Sequence, residues 1–188
     1  MIKVSCLGPA GSYSELAASE LCPEGERLLC RNFHEVIESL VNELCDYAVL
    51  PIENSIQGGV VVNLDLVSSY SVFAIKETVL KIDHRLAMLR GVKREDITQV
   101  YSHEQAIGQC QTFLREQLPG AKCRYADSTA ESLSLLDEHT AGIVGAHVRA
   151  EGVVLSDENI ANEKCNFTRF MLLERRGDLP ARSSKVYF

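Results

Sequence analysis

The sequence has no excess of basic residues: 19 lysines and arginines stand against 26 aspartates and glutamates, a formal charge of -7. A nucleic-acid surface needs a basic footprint, so no nucleic-acid partner is expected. No apolar run approaches the roughly 20 residues that span a bilayer, so no membrane association is expected either. The opening MIKVSCLG has no basic stretch followed by an apolar one and goes straight into a strand pattern, which predicts a cytosolic protein. The seven cysteines are odd in number, irregularly spaced and without a C-x-x-C pair. Cys6, Cys45 and Cys110 sit in apolar patterns and read as small buried hydrophobes. The histidines, at positions 34, 84, 103, 139 and 147, lack H-E-x-x-H or other ligand spacing, so no metal is expected. A G-x-x-x-x-G-K phosphate loop is missing too, as are repeats and Pro/Gly-rich linkers.

What remains is globular material, 188 residues that are 46% hydrophobic and 24% charged, enough for one large domain or two small lobes. Short apolar runs alternate with amphipathic stretches: IKVSCLG then SELAASELC, YAVLPI then VVVNLDLV, ITQVYS then QAIGQCQTFL, AGIVG then HVRAEGV. Strands alternating with helices predict an α/β fold with a substantially parallel sheet. Three strand exits carry a serine three residues before Glu or Gln: Ser12 with Glu15, Ser102 with Gln105, Ser128 with Glu131. Each is a capping-box pattern. Helix starts at the carboxyl ends of strands present free N–H groups, so the expected ligand is a small anion. In PIENSIQGGV, residues 51–60, Glu53, Asn54 and Ser55 stand where the chain leaves a strand, a capping loop or a binding loop. CNFTRF, residues 165–170, leads into the apolar run MLL and sets Thr168 and Arg169 side by side at a strand entrance.

The ordered pieces LGPAGSYSELAA, VLPIENSIQGGVVVNLDLV, IDHRL, VYSHEQAIGQCQTFL, DSTAESL and NFTRF, from residue 5 to about 173, resemble the catalytic domain of the prephenate dehydratase family. The resemblance implies a two-lobed α/β fold of the periplasmic-binding-protein type II class, with the active site in the inter-lobe cleft. Lobe one is expected at 1–78 plus 161–188 and lobe two at 79–160, with crossings near Glu77–Asp83 and Ile160–Asn166. The implied reaction is decarboxylating dehydration of prephenate to phenylpyruvate, water and carbon dioxide, driven by aromatisation and needing no cofactor or metal. The implied assembly is a homodimer or homotetramer.

Carried over by motif, the expected catalytic residues are Thr168, Asn54 and Gln109. Thr168 would give a hydrogen bond to the departing oxygen, while Asn54 and Gln109 would give amide hydrogens to the substrate. Expected to bind substrate are Ser12, Ser14, Glu53, Ser55, Ser102, His103, Asp127, Ser128, Thr129, Asn166, Arg169 and Phe170. Gln109 lies seven residues after Ser102, so one helix face can carry both. Arg169 suits a carboxylate, but neighbours in a strand face opposite ways, so an ion pair holding the lobes together is its alternative. Glu53 and Asp127 either donate while protonated or orient Arg169 or Asn54. His103 and His84 belong to matched motifs, and structural roles are favoured for both.

The sequence departs from the family pattern at Glu104, where proline is usual, and at Glu131 and Ser132, where small residues are usual. SSKVYF at 183–188 resembles the first strand of the family's ACT-type regulatory domain, so a catalytic domain insensitive to phenylalanine is expected. An arogenate dehydratase would use the same site. A decarboxylase that does not aromatise prephenate would lack Thr168, and a small-anion binding protein would not need it.

Overall fold

The computed structural model describes residues 1–127 and 129–178 of the chain. Ser128 and the expected strand at 183–188 lie outside the described residues, and the side chain of Thr129 is likewise not described. The chain divides into two compact units: Met1–Lys81 with the segment returning at Asn166, and Ile82–Cys165. The junctions fall a few residues beyond positions 78 and 160.

The first unit runs β1 (Lys3–Leu7), α1 (Tyr13–Leu21), β2 (Glu26–Cys30), α2 (Phe33–Val41), β3 (Tyr47–Asn54), β4 (Gly58–Gly59), α3 (Val61–Ser69) and β5 (Val72–Lys81). The second holds β6 (His84–Leu89), β7 (Gln99–Ser102), α4 (Glu104–Gln109), α5 (Gln111–Gln117), β8 (Lys122–Tyr125), α6 (Thr129–Ser134), β9 (Thr140–Gly145) and β10 (Val153–Leu155). The chain then returns to the first unit as β11 (Phe167–Arg175). The first sheet has the order β2-β1-β3-β11-β5, with β4 hanging on β3; the second, read in the matching direction, has the order β8-β7-β9-β6-β10. In each, three strands paired in parallel are followed by one strand antiparallel to them, and the fifth pairs antiparallel with that one and so runs with the first three. The expected parallel character therefore holds for only one side of each sheet. The strand that enters a unit just after a junction, β11 or β6, has no crossover helix before it and lies antiparallel beside the parallel three.

One of the three expected capping boxes, that of Ser12, forms as read, and that of Ser128 lies outside the described residues. Ser12 caps α1, its oxygen accepting from Glu15 N at 3.1 Å, while Glu15 Oε2 accepts from Gly11 N at 2.6 Å. Asn32 and Glu35 do the same for α2, a cap the serine pattern overlooked. HVRAEGV is not a helix but a turn leading to β10. QAIGQCQTFL is two helices, not one, broken at Cys110. Asn162 enters the break: its N–H donates to Gln109 O at 2.7 Å and its Oδ1 accepts from Thr112 N at 3.0 Å. The backbone groups released by the break are thereby satisfied.

The cores are ordinary apolar packing. Cys6, Cys30, Cys45 and Cys110 are buried among aliphatic side chains, and burial pushes the Cys6 and Cys110 thiols up to about 12, so they stay protonated and unreactive. Phe170 lies in the same layer as Val4, Cys6, Ala17, Val49, Leu80 and Leu172 and is 2% exposed. Its expected place in substrate binding is corrected: alternation along β11 turns it inward with Leu172. Truncating Phe170→Ala should cost about 3–5 kcal/mol in a urea titration, as for other buried aromatics. A substrate-binding role would instead raise KM and leave the urea midpoint in place.

Candidate active site

In the first unit the site grows from an irregularity in β3. Thr168 pairs with Asn54 and Arg169 with Glu53, but Phe170 pairs with Pro51, so Ile52 is skipped. Proline has no N–H to give the ladder, and a bulge is where a sheet tolerates it. Beyond the bulge the chain leaves β3 at Asn54 and reverses through Gly58, whose φ of 79° is the left-handed conformation that glycine adopts without strain.

The Asn54 side chain holds that reversal. Its Oδ1 accepts from Ile56 N and Gln57 N, both at 3.0 Å, an Asx turn that fixes which way the amide faces. Its Nδ2 then points at β11, donating to Asn166 Oδ1 at 2.7 Å and Thr168 Oγ1 at 2.9 Å, with Phe167 O at 3.2 Å. Asn166 is 2% exposed and Thr168 8%. The Thr168 oxygen therefore accepts from Asn54, and its own hydrogen has no acceptor among the described residues. Ser55 extends the pairing by one step: its N–H donates to Phe167 O at 2.8 Å and its Oγ accepts from Phe167 N at 2.9 Å.

Four of the expected site residues have partners or places of their own here. Asn54 gives its hydrogens to Asn166 and Thr168. Ser55 places its hydroxyl on backbone. Ser12 donates to Leu7 O at 2.9 Å while it caps α1, so both its hydroxyl roles are already filled. Ser14 is buried at the second position of α1, not displayed at its tip.

Arg169 faces away from Thr168. It lies 3.7 Å from Glu53 and 4.0 Å from Glu77, both exposed carboxylates on neighbouring strands of its own unit. Such an exposed pair is worth less than about 1 kcal/mol. Of the two roles weighed for Glu53, orienting Arg169 matches this strip.

In the second unit Ser102, His103 and Asp127 stand at the carboxyl ends of the paired strands β7 and β8, and Gln109 at the end of α4. Ser102 is 3% exposed and donates to Ile143 O at 2.8 Å, tying β7 to β9. It does not cap α4; the cap is His103, whose Nδ1 accepts from Gln105 N at 3.3 Å. Because Ser102 sits in a strand and Gln109 ends α4, no shared helix face joins them. Asp127 is exposed, and its N–H donates to Glu131 Oε2 at 2.6 Å. The side chain of Gln109 meets His84, with Oε1 2.8 Å from Nε2. An amide oxygen can only accept, so the imidazole carries its hydrogen on Nε2 and the Gln109 NH2 is directed away from it. The structural role favoured for His84 is thus specific: it orients Gln109. Among the described residues no cluster of three histidine, cysteine, aspartate or glutamate side chains could hold a metal, and no helix is long and apolar enough to cross a membrane.

Two units with this repeated strand order define an α/β protein of the periplasmic-binding-protein-like type II class. The family model for prephenate dehydratase matches residues 4–178, and the chain belongs to that family. It is 36% identical over 197 residues to the bifunctional chorismate mutase/prephenate dehydratase of Buchnera aphidicola, covering 97% of this chain and 51% of that protein. It is 34% identical to arogenate dehydratase/prephenate dehydratase 1 of Arabidopsis thaliana, covering 99% of this chain and 50% of that one. The solved prephenate dehydratase of Arthrobacter aurescens in complex with L-Phe superposes with a TM-score of 0.81 at 30% identity, over 97% of this chain and 62% of that one. The chain spans about half the length of the curated relatives it matches.

Burial lowers the His84 pKa, offset in part by the Gln109 hydrogen bond and the Asp83 carboxylate. The unfolded imidazole therefore takes up a proton at higher pH than the folded one. The resulting stability is present above the unfolded value of about 6.5 and is lost as pH falls from there toward the folded value. A His84→Gln variant should lose the part of the urea-midpoint slope between about pH 7 and pH 5 that His84 supplies, while an unchanged slope would contradict the buried neutral imidazole.

Proposed function

We propose that the chain carries out the decarboxylating dehydration of prephenate to phenylpyruvate. The observation that carries the reading is the state of the Thr168 hydroxyl: nearly buried, accepting from Asn54, with its hydrogen left to donate. Prephenate, in the reaction implied by the family, loses its ring carboxylate as carbon dioxide. The electron pair of the broken C–C bond enters the ring, which becomes aromatic as the C–O bond to the ring hydroxyl breaks. The departing oxygen gathers negative charge and takes up a proton to leave as water. A hydroxyl held in place stabilises that oxygen most strongly in the transition state, which is the condition for catalysis. Asn54 withdraws one lone pair of Thr168 from competition and fixes the hydroxyl's direction, while Asn166 keeps Asn54 in line.

Two substrates fit this chemistry. Arogenate shares the reacting ring, and one relative's name joins both activities. Prephenate is favoured because the family model that covers residues 4–178 is the one for prephenate dehydratase. Gln109, presented by His84, keeps its expected role as an amide donor to substrate. Arg169, Asp127 and His103 remain within the proposal as charged or polar neighbours of substrate, not as participants in bond breaking. A cytosolic location and a homodimeric or homotetrameric assembly belong to the same proposal and are read out by fractionation and light scattering.

Prephenate and arogenate should be offered separately to the purified chain and to Thr168→Val, with phenylpyruvate and phenylalanine as readouts. Wild type is expected to convert prephenate, and the variant to lose roughly 100- to 1,000-fold in kcat, the usual cost of removing one transition-state donor. Binding of prephenate without turnover by either protein would make the chain a receptor and overturn the proposal.

A further inference from the structure

Asn63 stands at the third position of α3 with none of its surface exposed, outside every motif role assigned above. Its Nδ2 donates to Pro51 O at 2.7 Å. Pro51 is the residue at which β3 falls out of register with β11, immediately before the Glu53–Asn54 segment that faces Arg169 and Thr168. The next carbonyl, Ile52 O, accepts from Val60 N at 2.7 Å, just before α3. Both carbonyls of the bulge thus bond to the start of α3. The loop between is closed from within by Asn54 Oδ1 on Ile56 and Gln57 N–H.

Among the described residues the other end of the Asn63 amide makes no bond: Oδ1 is buried with no hydrogen-bond partner. Burying an acceptor in this way is unfavourable, and a leucine of similar volume would avoid it. Packing alone therefore does not account for an asparagine at this place. Its donor does, because that donor is what holds the bulge against the helix.

We propose that Asn63 is a positioning residue for the Thr168 hydroxyl, acting through the Pro51 carbonyl and Asn54. The tether fixes the last residues of β3 relative to α3, and Asn54, anchored in that short loop, then meets Thr168 at hydrogen-bond distance. Loosening the tether lets the Asn54 amide wander, and the Thr168 hydroxyl loses its fixed direction while the residues around it stay in place. This inference rests on the dehydratase reading for its catalytic consequence, and on the loop geometry alone for its structural one.

The test compares wild type, Asn63→Leu, Asn54→Ala and the double variant by prephenate turnover, thermal unfolding and amide hydrogen exchange at Ile56 and Gln57. Asn63→Leu is expected to unfold no lower than wild type, to lose at least about tenfold in kcat with KM within about threefold, and to exchange the two amides about tenfold faster. In the Asn54→Ala background the leucine should cause no further loss of kcat, since the path runs through Asn54. Full kcat in Asn63→Leu, or a loss that multiplies with that of Asn54→Ala, overturns the proposal. Should Asn63→Leu fail to fold, Asn63→Ser, whose hydroxyl is too short to span to Pro51, carries the same expectations for turnover and exchange. Should wild type convert neither prephenate nor arogenate, the functional reading fails on its own. The tether is then judged by exchange, and unchanged rates at Ile56 and Gln57 overturn it.

Discussion

One primary amide, that of Asn54, holds the polar corner of the first unit together. Its oxygen is committed to two backbone N–H groups of the loop that follows, and this leaves no choice about where its hydrogens go. They reach across to Asn166 and Thr168 on a strand more than a hundred residues away in sequence. Both partners are nearly buried, so little water competes for the bonds. An asparagine is the residue that can do this: one end imitates a backbone acceptor, the other supplies two donors. Aspartate at the same place would turn a lone pair toward Thr168 and draw its hydroxyl hydrogen inward, away from a substrate.

The strands around that amide explain why the chain is arranged as it is. The first unit is incomplete until β11 returns, because β11 lies between β3 and β5 and makes the larger part of its contacts with them. The residue that performs the proposed chemistry is therefore delivered by the last strand of the unit, opposite a residue delivered by the third. The bulge at Pro51 and Ile52 is the adjustment that lets a tightly packed sheet end in a polar corner: Phe170 and Leu172 fill the core, and two residues toward the strand's start Thr168 already bonds to the Asn54 amide. Arg169, on the opposite face, belongs to an exposed charged strip with Glu53 and Glu77.

The alternation of apolar and amphipathic stretches was enough to read an α/β fold and most of its elements, and the Ser12 cap followed from local spacing alone. Thr168 and Asn54 drew attention through their motifs, and their pairing follows once β3 and β11 are neighbours. Long-range partners were not legible. Ser102 looked like a helix cap but lies under β9, where Ile143 offers a carbonyl that no local pattern reveals. Phe170 looked like part of a binding motif, yet it packs with apolar residues from β1, α1, β3 and β5. The break at Cys110 depends on Asn162, far along the chain, and Asn63 reads as one polar residue in an apolar helix until Pro51 is placed beside it. Each miss is a case where tertiary partners decided between two locally reasonable roles.

The claim that everything else serves is that a hydroxyl hydrogen at position 168, directed by Asn54, meets the departing oxygen. A comparison of Thr168→Ser with Thr168→Val in single-turnover assays with prephenate isolates that hydrogen from the shape of the side chain. Serine keeps the hydroxyl and loses a methyl group, while valine keeps the shape and loses the hydroxyl. The account predicts that serine retains turnover within about tenfold of wild type while valine falls by two orders of magnitude or more. Serine as inactive as valine, or valine as active as wild type, would contradict it.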